Sequence, residues 1–239
     1  MNSSNKKKIE TGIPGLDELL DGGIPRGNSV LLSGGAGSGK TTFGMQFLVN
    51  GAEYDEPGVF VGLEEYLPDL KKNMSHFGWD FASLEKENKL ILTRLDIWKF
   101  GSVLSGGVDM ELFADTVRSA VEEINAQRIV IDPISIMGLM YRSDLKFRLD
   151  LVELQNSLRD LKCTTIMVLD TLSGFMSRYN TEEFVAHGVI VLHYIKKNYI
   201  RQRGLEIWKM RGTKHSENVH SMEITSNGLK VYSGSPVFL

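Results

Sequence analysis

Residues Asn28–Thr41 read NSVLLSGGAGSGKT, and this stretch decides the fold. Its first six residues form a mostly apolar run of the kind that makes a buried strand. The next eight, Gly34-Gly35-Ala36-Gly37-Ser38-Gly39-Lys40-Thr41, match G-x-x-x-x-G-K-[ST] in full, and a helical stretch follows from about Gly39 to Gly51. Without Cβ atoms, successive backbone N–H groups can curl around an anion, and the helix N-terminus aims its dipole at the same point. The motif predicts a phosphate-binding loop cradled by Gly35, Ala36, Gly37, Ser38 and Gly39. Lys40 reaches the β- and γ-phosphates of a bound ATP, and the Thr41 hydroxyl holds Mg²⁺. Thr42 is read as packing at the helix N-terminus that could also touch phosphate.

The same strand–helix rhythm continues along the chain. Val59–Leu63, Leu90–Leu95, Arg128–Asp132 and Thr164–Asp170 are short apolar runs, and helical stretches fall at about Met110–Asn125 and Leu145–Leu161. This alternation predicts an α/β fold, a mostly parallel central sheet with helices on both faces. After Ala186 the runs crowd together at Val189–Tyr194, Gly204–Met210, Val219–Ile224 and Leu229–Tyr232, with Asn227-Gly228 as a tight-turn signal. Loops this short leave no room for crossover helices, so an antiparallel C-terminal extension is expected. There is no internal repeat or linker; residues 9–239 are read as one domain and residues 1–8 as a disordered tail.

Composition narrows the classes. Over 239 residues, 42% hydrophobic and 24% charged content suits a globular protein, and a net charge of −3 argues against a general nucleic-acid-coating surface. No apolar run approaches the ~20 residues of a membrane span, and the N-terminus lacks the apolar stretch of a secretory signal. No membrane association and a cytoplasmic location are therefore expected. The single cysteine, Cys163, lies in CTTIMVLD, where a buried, inert thiol is expected; it offers neither a disulfide framework nor a cysteine zinc site.

Nucleotide hydrolysis also needs a metal anchor and a group that orients or deprotonates water. In a parallel sheet both belong at C-terminal strand ends beside the phosphate loop. Asp132 ends RIVID and is the candidate Mg²⁺ ligand; the alternative is a helix N-cap. Glu64 and Glu65 follow VFVGL. Glu64 is the first candidate for general base, with Glu65 as its partner, and the alternative is that both cap a following helix. Asp170 ends the next strand and could sense the γ-phosphate through a water.

Far along the chain, LEIWKMRGTKH (Leu205–His215) carries Lys209, Arg211 and Lys214 within six residues. Residues two apart on a strand share a face, so Lys209 and Arg211 form a pair, while Lys214 lies past the strand with a surface role. Charges that keep a strand edge soluble would look the same. His215 and His220 have no metal-ligand company and are read as local hydrogen-bonding groups.

These features together resemble the RecA/RadA superfamily, and within it the family of the circadian clock protein KaiC. The resemblance covers most of residues 9–233: TGIPGLDELLDGGIPRGN, the phosphate loop, LEE, RIVID, SRYNTEEFVAHGVIVL (Ser177–Leu192) and KMRGTKH. It implies a RecA-like P-loop NTPase, a single-domain KaiC-like ATPase that assembles as a ring, usually hexameric. ATP would sit between neighbours, with Lys40, Glu64, Glu65 and Asp132 from one copy and Lys209 and Arg211 from the next. The family's autophosphorylated unit carries a Ser-Thr pair where this chain has Glu183-Phe184, which puts autokinase activity in doubt although Thr181 is nearby. The other readings are an ATP-dependent oligomeric scaffold with incidental hydrolysis, with a protein partner of unknown identity, or a RecA/RadA-like DNA-binding ATPase. The Gly/Ser-rich stretch FGSVLSGG (Phe100–Gly107) is the one candidate loop for DNA, and a plain connector is the alternative.

Overall fold

The computed structural model describes residues 7–102, 104–171, 182–197 and 199–236. Its centre is a nine-stranded sheet made of β1 (Ser29–Gly34), β2 (Gly58–Gly62), β3 (Leu90–Arg94), β4 (Arg128–Asp132), β5 (Thr164–Asp170), β6 (Gly188–Lys197), β7 (Ile200–Met210), β8 (Val219–Thr225) and β9 (Gly228–Pro236). The spatial order is β9-β8-β7-β6-β1-β5-β4-β2-β3. Strands β6, β1, β5, β4, β2 and β3 run parallel, and β7, β8 and β9 continue the sheet antiparallel. The expected α/β class, the parallel core and the antiparallel extension are all present.

Both faces of the parallel half are covered, which explains why its strands read as unbroken apolar runs. Val130, Ile166 and Val168 point into one core with α1 (Lys40–Glu53); Ile129, Ile131, Met167 and Leu169 point into the other. That second core holds α2 (Met110–Ile124) and α3 (Asp144–Asp160). In α2 the buried residues Met110, Phe113, Ala114, Val117, Val121 and Ile124 recur at helical spacing, and Asp109 caps its start by accepting from Leu112 N at 3.0 Å. Helix α1 is buried around most of its circumference because the β8–β9 hairpin closes over it. The Gln46 amide clasps that hairpin, donating to Leu229 O at 3.1 Å and accepting from Leu229 N at 2.6 Å. The helix that follows the phosphate loop is thus tied directly to the antiparallel half of the sheet.

Three departures from the sequence reading have simple causes. Residues 1–6 of the expected tail lie outside the described residues, but Lys8 pairs with Pro25 and its Nζ donates to Leu20 O at 3.2 Å. Within and just after FGSVLSGG, the described residues Gly101–Ser102 pair antiparallel with Gly107–Val108. Strands β6 and β7 are longer than expected, because the polar stretch between them lacks the apolar alternation that marks a strand and pairs only with itself.

Candidate functional site

The phosphate loop leaves β1 at its C-terminal end, flanked by Leu192 in the middle of β6 and by Asp170 at the end of β5. A Cβ on Gly34 would lie 2.7 Å from both Leu192 O and Ser38 Oγ, so no larger residue fits this corner. Gly37 and Gly39 take φ of 75° and 106°, the left-handed region that lets the loop turn its amides inward. Lys40 is 7% exposed; its Nζ donates to Gly35 O at 2.9 Å and pairs with Asp170 Oδ1 at 3.0 Å. Asp170 Oδ2 in turn accepts from Ser135 Oγ at 3.2 Å. Asp170 therefore belongs to the site, holding the lysine that a γ-phosphate would take over. Thr42 is buried in packing, and Ser38 Oγ is buried with no partner.

Asp132 ends β4 beside this loop. Burial pushes its carboxyl up to about 6, with Asp170 and Glu65 adding to the rise, while a hydrogen bond from the Thr41 side chain and the Lys40 charge oppose it. Its Oδ2 is buried with no partner, so it is not a helix cap. A carboxylate oxygen lacking a partner beside the Thr41 hydroxyl is a donor set that fits Mg²⁺. Among the described residues no group of three or more His, Cys, Asp or Glu gathers. Mg²⁺ needs none where substrate phosphates complete its shell.

Leu63 N donates to Asp132 O at 2.8 Å, which carries Glu64 and Glu65 alongside the end of β4. Glu65 is half-buried and acts on Asp132 electrostatically, whereas Glu64 is exposed. Neither caps α-helix Leu67–Met74, whose N-cap is Tyr66 without a side-chain bond.

Two residues over the loop carried no recognised sequence signal. Arg203, on β7, donates through both Nε and Nη2 to Gly37 O at 3.3 and 3.1 Å. Its guanidinium lies 4.3 Å from the centre of the Tyr194 ring, which packs against Gly37.

Lys209 and Arg211 lie elsewhere. Val189 pairs with Lys209, but Ile190 pairs with Ile207, so Trp208 is an extra residue in β7. This bulge returns Met210 to the core face of Leu205 and Ile207 and turns Lys209 and Arg211 together to the other face. Lys209 Nζ donates to Glu183 O at 2.8 Å. Arg211 N donates to His187 O at 3.0 Å, and Asn28 Nδ2 donates to Arg211 O at 3.0 Å. Arg211 is thereby anchored at the start of β1, and six residue steps, about 20 Å of extended strand, separate it from Gly34.

Around Arg211 a cavity of about 650 Å³ is lined by Arg26, Asn28, Arg159, Lys162 and His187, with no carboxylate among the described residues of the lining. His187 Nδ1 accepts from Ser29 N at 3.1 Å, and burial followed by the charges of Arg211, Arg159 and Lys209 keeps the ring below its usual range. Lys209 is also pushed down, by burial first and then by Arg211. Lys214 is exposed, as expected for a loop residue. His215 Nδ1 lies 2.9 Å from Ser216 O and His220 Nε2 lies 2.7 Å from Ser216 Oγ, both local contacts. Cys163 is buried, donates to Ala126 O at 3.1 Å, and has its thiol pushed up to about 12 by burial. Thr181 and Ser177 lie outside the described residues.

This geometry has close counterparts. The family model described as "ATPase: KaiC" matches residues 9–235. The circadian clock oscillator protein KaiC of Synechococcus elongatus is 37% identical over 94% of the chain, which spans 44% of that relative's length. A UPF0273 protein of Thermotoga maritima is 38% identical, with 95% of this chain and 96% of that one covered. The crystal structure of a KaiC-like protein from Pyrococcus horikoshii superimposes with a TM-score of 0.83 at 43% identity, covering 94% of this chain and 98% of that one. With its loop, its sheet and nearly its whole length matched, the chain belongs to the KaiC family of ATPases.

Proposed function

We propose that this protein is an Mg²⁺-dependent ATPase that works as a ring, hexameric as the family resemblance implies, with ATP bound between neighbouring copies. One observation carries the reading: the phosphate loop leaves the C-terminal end of β1, whereas Arg211 is held at its start with Lys209 at the register of Leu31, so Arg211 is too far from the loop to share one nucleotide in one chain. Among the described residues no carboxylate lines the cavity around Arg211, where Arg26 is paired with Glu56, whereas the loop end carries Asp132, Asp170, Glu64 and Glu65. Two such ends on one chain suit a head-to-tail interface that closes into a ring.

At each interface the loop amides and Lys40 would bind the β- and γ-phosphates. Thr41 and Asp132 would hold Mg²⁺, which when bound neutralises charge on the phosphate oxygens. Glu64, with Glu65 beside it, would orient the attacking water and take its proton onto a carboxylate oxygen. Lys209 and Arg211 of the next copy would stabilise the charge on the γ-phosphoryl as the bond to ADP breaks, a contribution of 10³–10⁵ in comparable hydrolases. Because each site spans two copies, turnover would be coupled to movement between subunits, which a protein partner could read. A cytoplasmic location goes with this reading.

Mixing tests it. Lys40→Ala and Arg211→Ala are each expected to release almost no phosphate from ATP. Co-assembled in equal amounts, about a quarter of the interfaces join an intact loop to an intact cation pair, and activity returns in proportion. No recovery in rings that still assemble would rule out the shared site. Full turnover by Arg211→Ala with lost assembly would favour the scaffold reading instead.

A further inference from the structure

The N-terminal edge of the parallel sheet holds more cations than the shared nucleotide site calls for. Ligands of open α/β sheets ordinarily sit at the other edge, beyond the C-terminal strand ends where the phosphate loop lies. Yet the cavity of about 650 Å³ around Arg211 gathers side chains from four separate parts of the chain. Arg26 and Asn28 lie just ahead of β1, Arg159 and Lys162 at the end of α3, His187 just ahead of β6, and Arg211 just past β7.

The ionisable side chains of this lining offer donors only. Ser29 N, which can only donate, gives its bond to His187 Nδ1 at 3.1 Å, and Gln155 Nε2 lies 3.0 Å from the same nitrogen. Nδ1 is therefore the acceptor and the ring proton sits on Nε2, so His187 brings an N–H and no free acceptor. Arg26 is engaged with Gln127 Oε1 at 3.1 Å and with Glu56, but that carboxylate is shared with the fully buried Arg128. Two guanidinium groups on one carboxylate leave the trio with an excess of positive charge. Among the described residues no ion pair engages Arg159, Lys162 or Arg211. Favourable charge at a helix C-terminus would account for Arg159 and Lys162. It leaves the convergence of Arg26, His187 and Arg211 on the same space unexplained.

We propose that this cavity is an oxyanion site in its own right, one that takes a free tetrahedral dianion such as inorganic phosphate within a single chain. Converging cations gain most from a compact anion of high charge, and guanidinium groups match its oxygens in pairs. With no carboxylate among the described lining residues to accept a proton from the ligand, sulfate should bind about as well as phosphate. The terminal phosphate of a nucleotide carried by a neighbouring copy has the same chemistry, but the free anion needs neither nucleotide nor neighbour. In the proposed ring Arg211 would also serve the neighbour's nucleotide, so a bound dianion would compete for that side chain; this consequence alone rests on the ring.

The test is calorimetric titration of the full chain, without nucleotide, with inorganic phosphate and with sulfate at an ionic strength held constant by chloride. Wild type and Lys40→Ala are compared, so that binding at the phosphate loop is recognised by its loss in the variant. Selective ¹⁵N labelling of the five histidines gives a local readout, with His187 assigned by its absence in His187→Gln. Both chains should bind either anion saturably, and the His187 Nε2–H resonance should move with occupancy. Arg159→Glu/Lys162→Glu should weaken binding about tenfold or more. Lys72→Glu/Lys214→Glu makes the same change in net charge outside the lining and should stay within about twofold. Should the charge reversal fail to fold, the milder Arg159→Ala/Lys162→Ala takes its place with the same direction expected. Binding that vanishes in Lys40→Ala would return the anion to the phosphate loop, and equal losses in the two charge-reversed variants would mean net charge alone; either overturns the proposal. A His187 resonance that moves only when ATP and Mg²⁺ are added to chains with an intact loop would mean that the phosphate comes from a neighbour's nucleotide, and the free-anion assignment fails. None of these failures touches the co-assembly of Lys40→Ala with Arg211→Ala, and failed co-assembly would leave phosphate binding intact.

Discussion

The two ends of β1 are built on different electrostatic terms. At the C-terminal end Lys40 is already paired with Asp170, with Asp132 and Glu65 close by, so the one cation of this end is matched within its own chain. At the N-terminal end burial, and then the charges of Arg211, Arg159 and Lys209, keep the His187 ring below its usual range, and Arg211 adds to the burial that pushes Lys209 down. The first end needs a ligand to do chemistry but can wait without one. The second end is under mutual repulsion that an anion from outside would relieve. In the proposed ring, these two ends of one strand would be the two halves of a site that a second copy completes.

Breaking the matched end should have the largest effect. Lys40→Ala removes the cation proposed to contact the β- and γ-phosphates, and turnover is expected to fall at least 10³-fold, read as phosphate release from ATP. Tight nucleotide binding should be lost with it, checked by calorimetry. Arg211→Ala should cost 10³ or more in turnover while each isolated chain still binds ATP through its own loop. That split between binding and turnover separates the two ends.

Asp170 sharpens the comparison from inside the matched end. Asp170→Asn frees Lys40 from its carboxylate but keeps an acceptor for Ser135 Oγ. If the pair merely holds the lysine in waiting, ATP affinity should rise a few-fold and turnover should stay within tenfold of the parent. If turnover falls a hundredfold or more, Asp170 acts on the γ-phosphate itself.

The parallel core, the loop and Asp132 were legible because each is written in contiguous residues: G-x-x-x-x-G-K-T after an apolar strand, and a carboxylate closing RIVID. The pairing of Lys209 with Arg211 was legible from the two-residue period. Which face they take was not, because the bulge at Trp208 shifts the alternation and leaves no mark in composition. The ion pair of Lys40 with Asp170 joins residues 130 positions apart and depends on β1 and β5 being neighbours. Arg203 was hidden for a similar reason: its stretch lacks apolar alternation, so the strand that brings it over Gly37 went unseen.

Stability offers a quieter contrast. Asp132 is raised from 3.8 to about 6, so the metal-free fold disfavours its charged form. Below pH 3.8 the carboxyl is protonated folded or unfolded and contributes nothing. As pH rises through the window from 3.8 to 6, the unfolded chain ionises first and stability falls; above 6 the loss is complete at about 3 kcal/mol. Asp132→Asn should therefore raise the melting temperature of the nucleotide-free protein at pH 7.5 and change it little at pH 3.5. The same variant should lose the stabilisation expected of the parent when Mg²⁺ and ATP are added.

The smallest effect is expected from Lys214, and its smallness carries information. Lys214 lies three residues from Arg211 in the same basic stretch, so a role based on local charge would involve it almost equally. It is exposed, lies past the end of β7, and is absent from the lining of the cavity around Arg211. Lys214→Ala should leave turnover and assembly within twofold of the parent, while Arg211→Ala abolishes turnover. Equal losses in the two variants would mean that net charge matters, rather than the Arg211 side chain whose backbone is anchored at the start of β1 by Asn28 and His187.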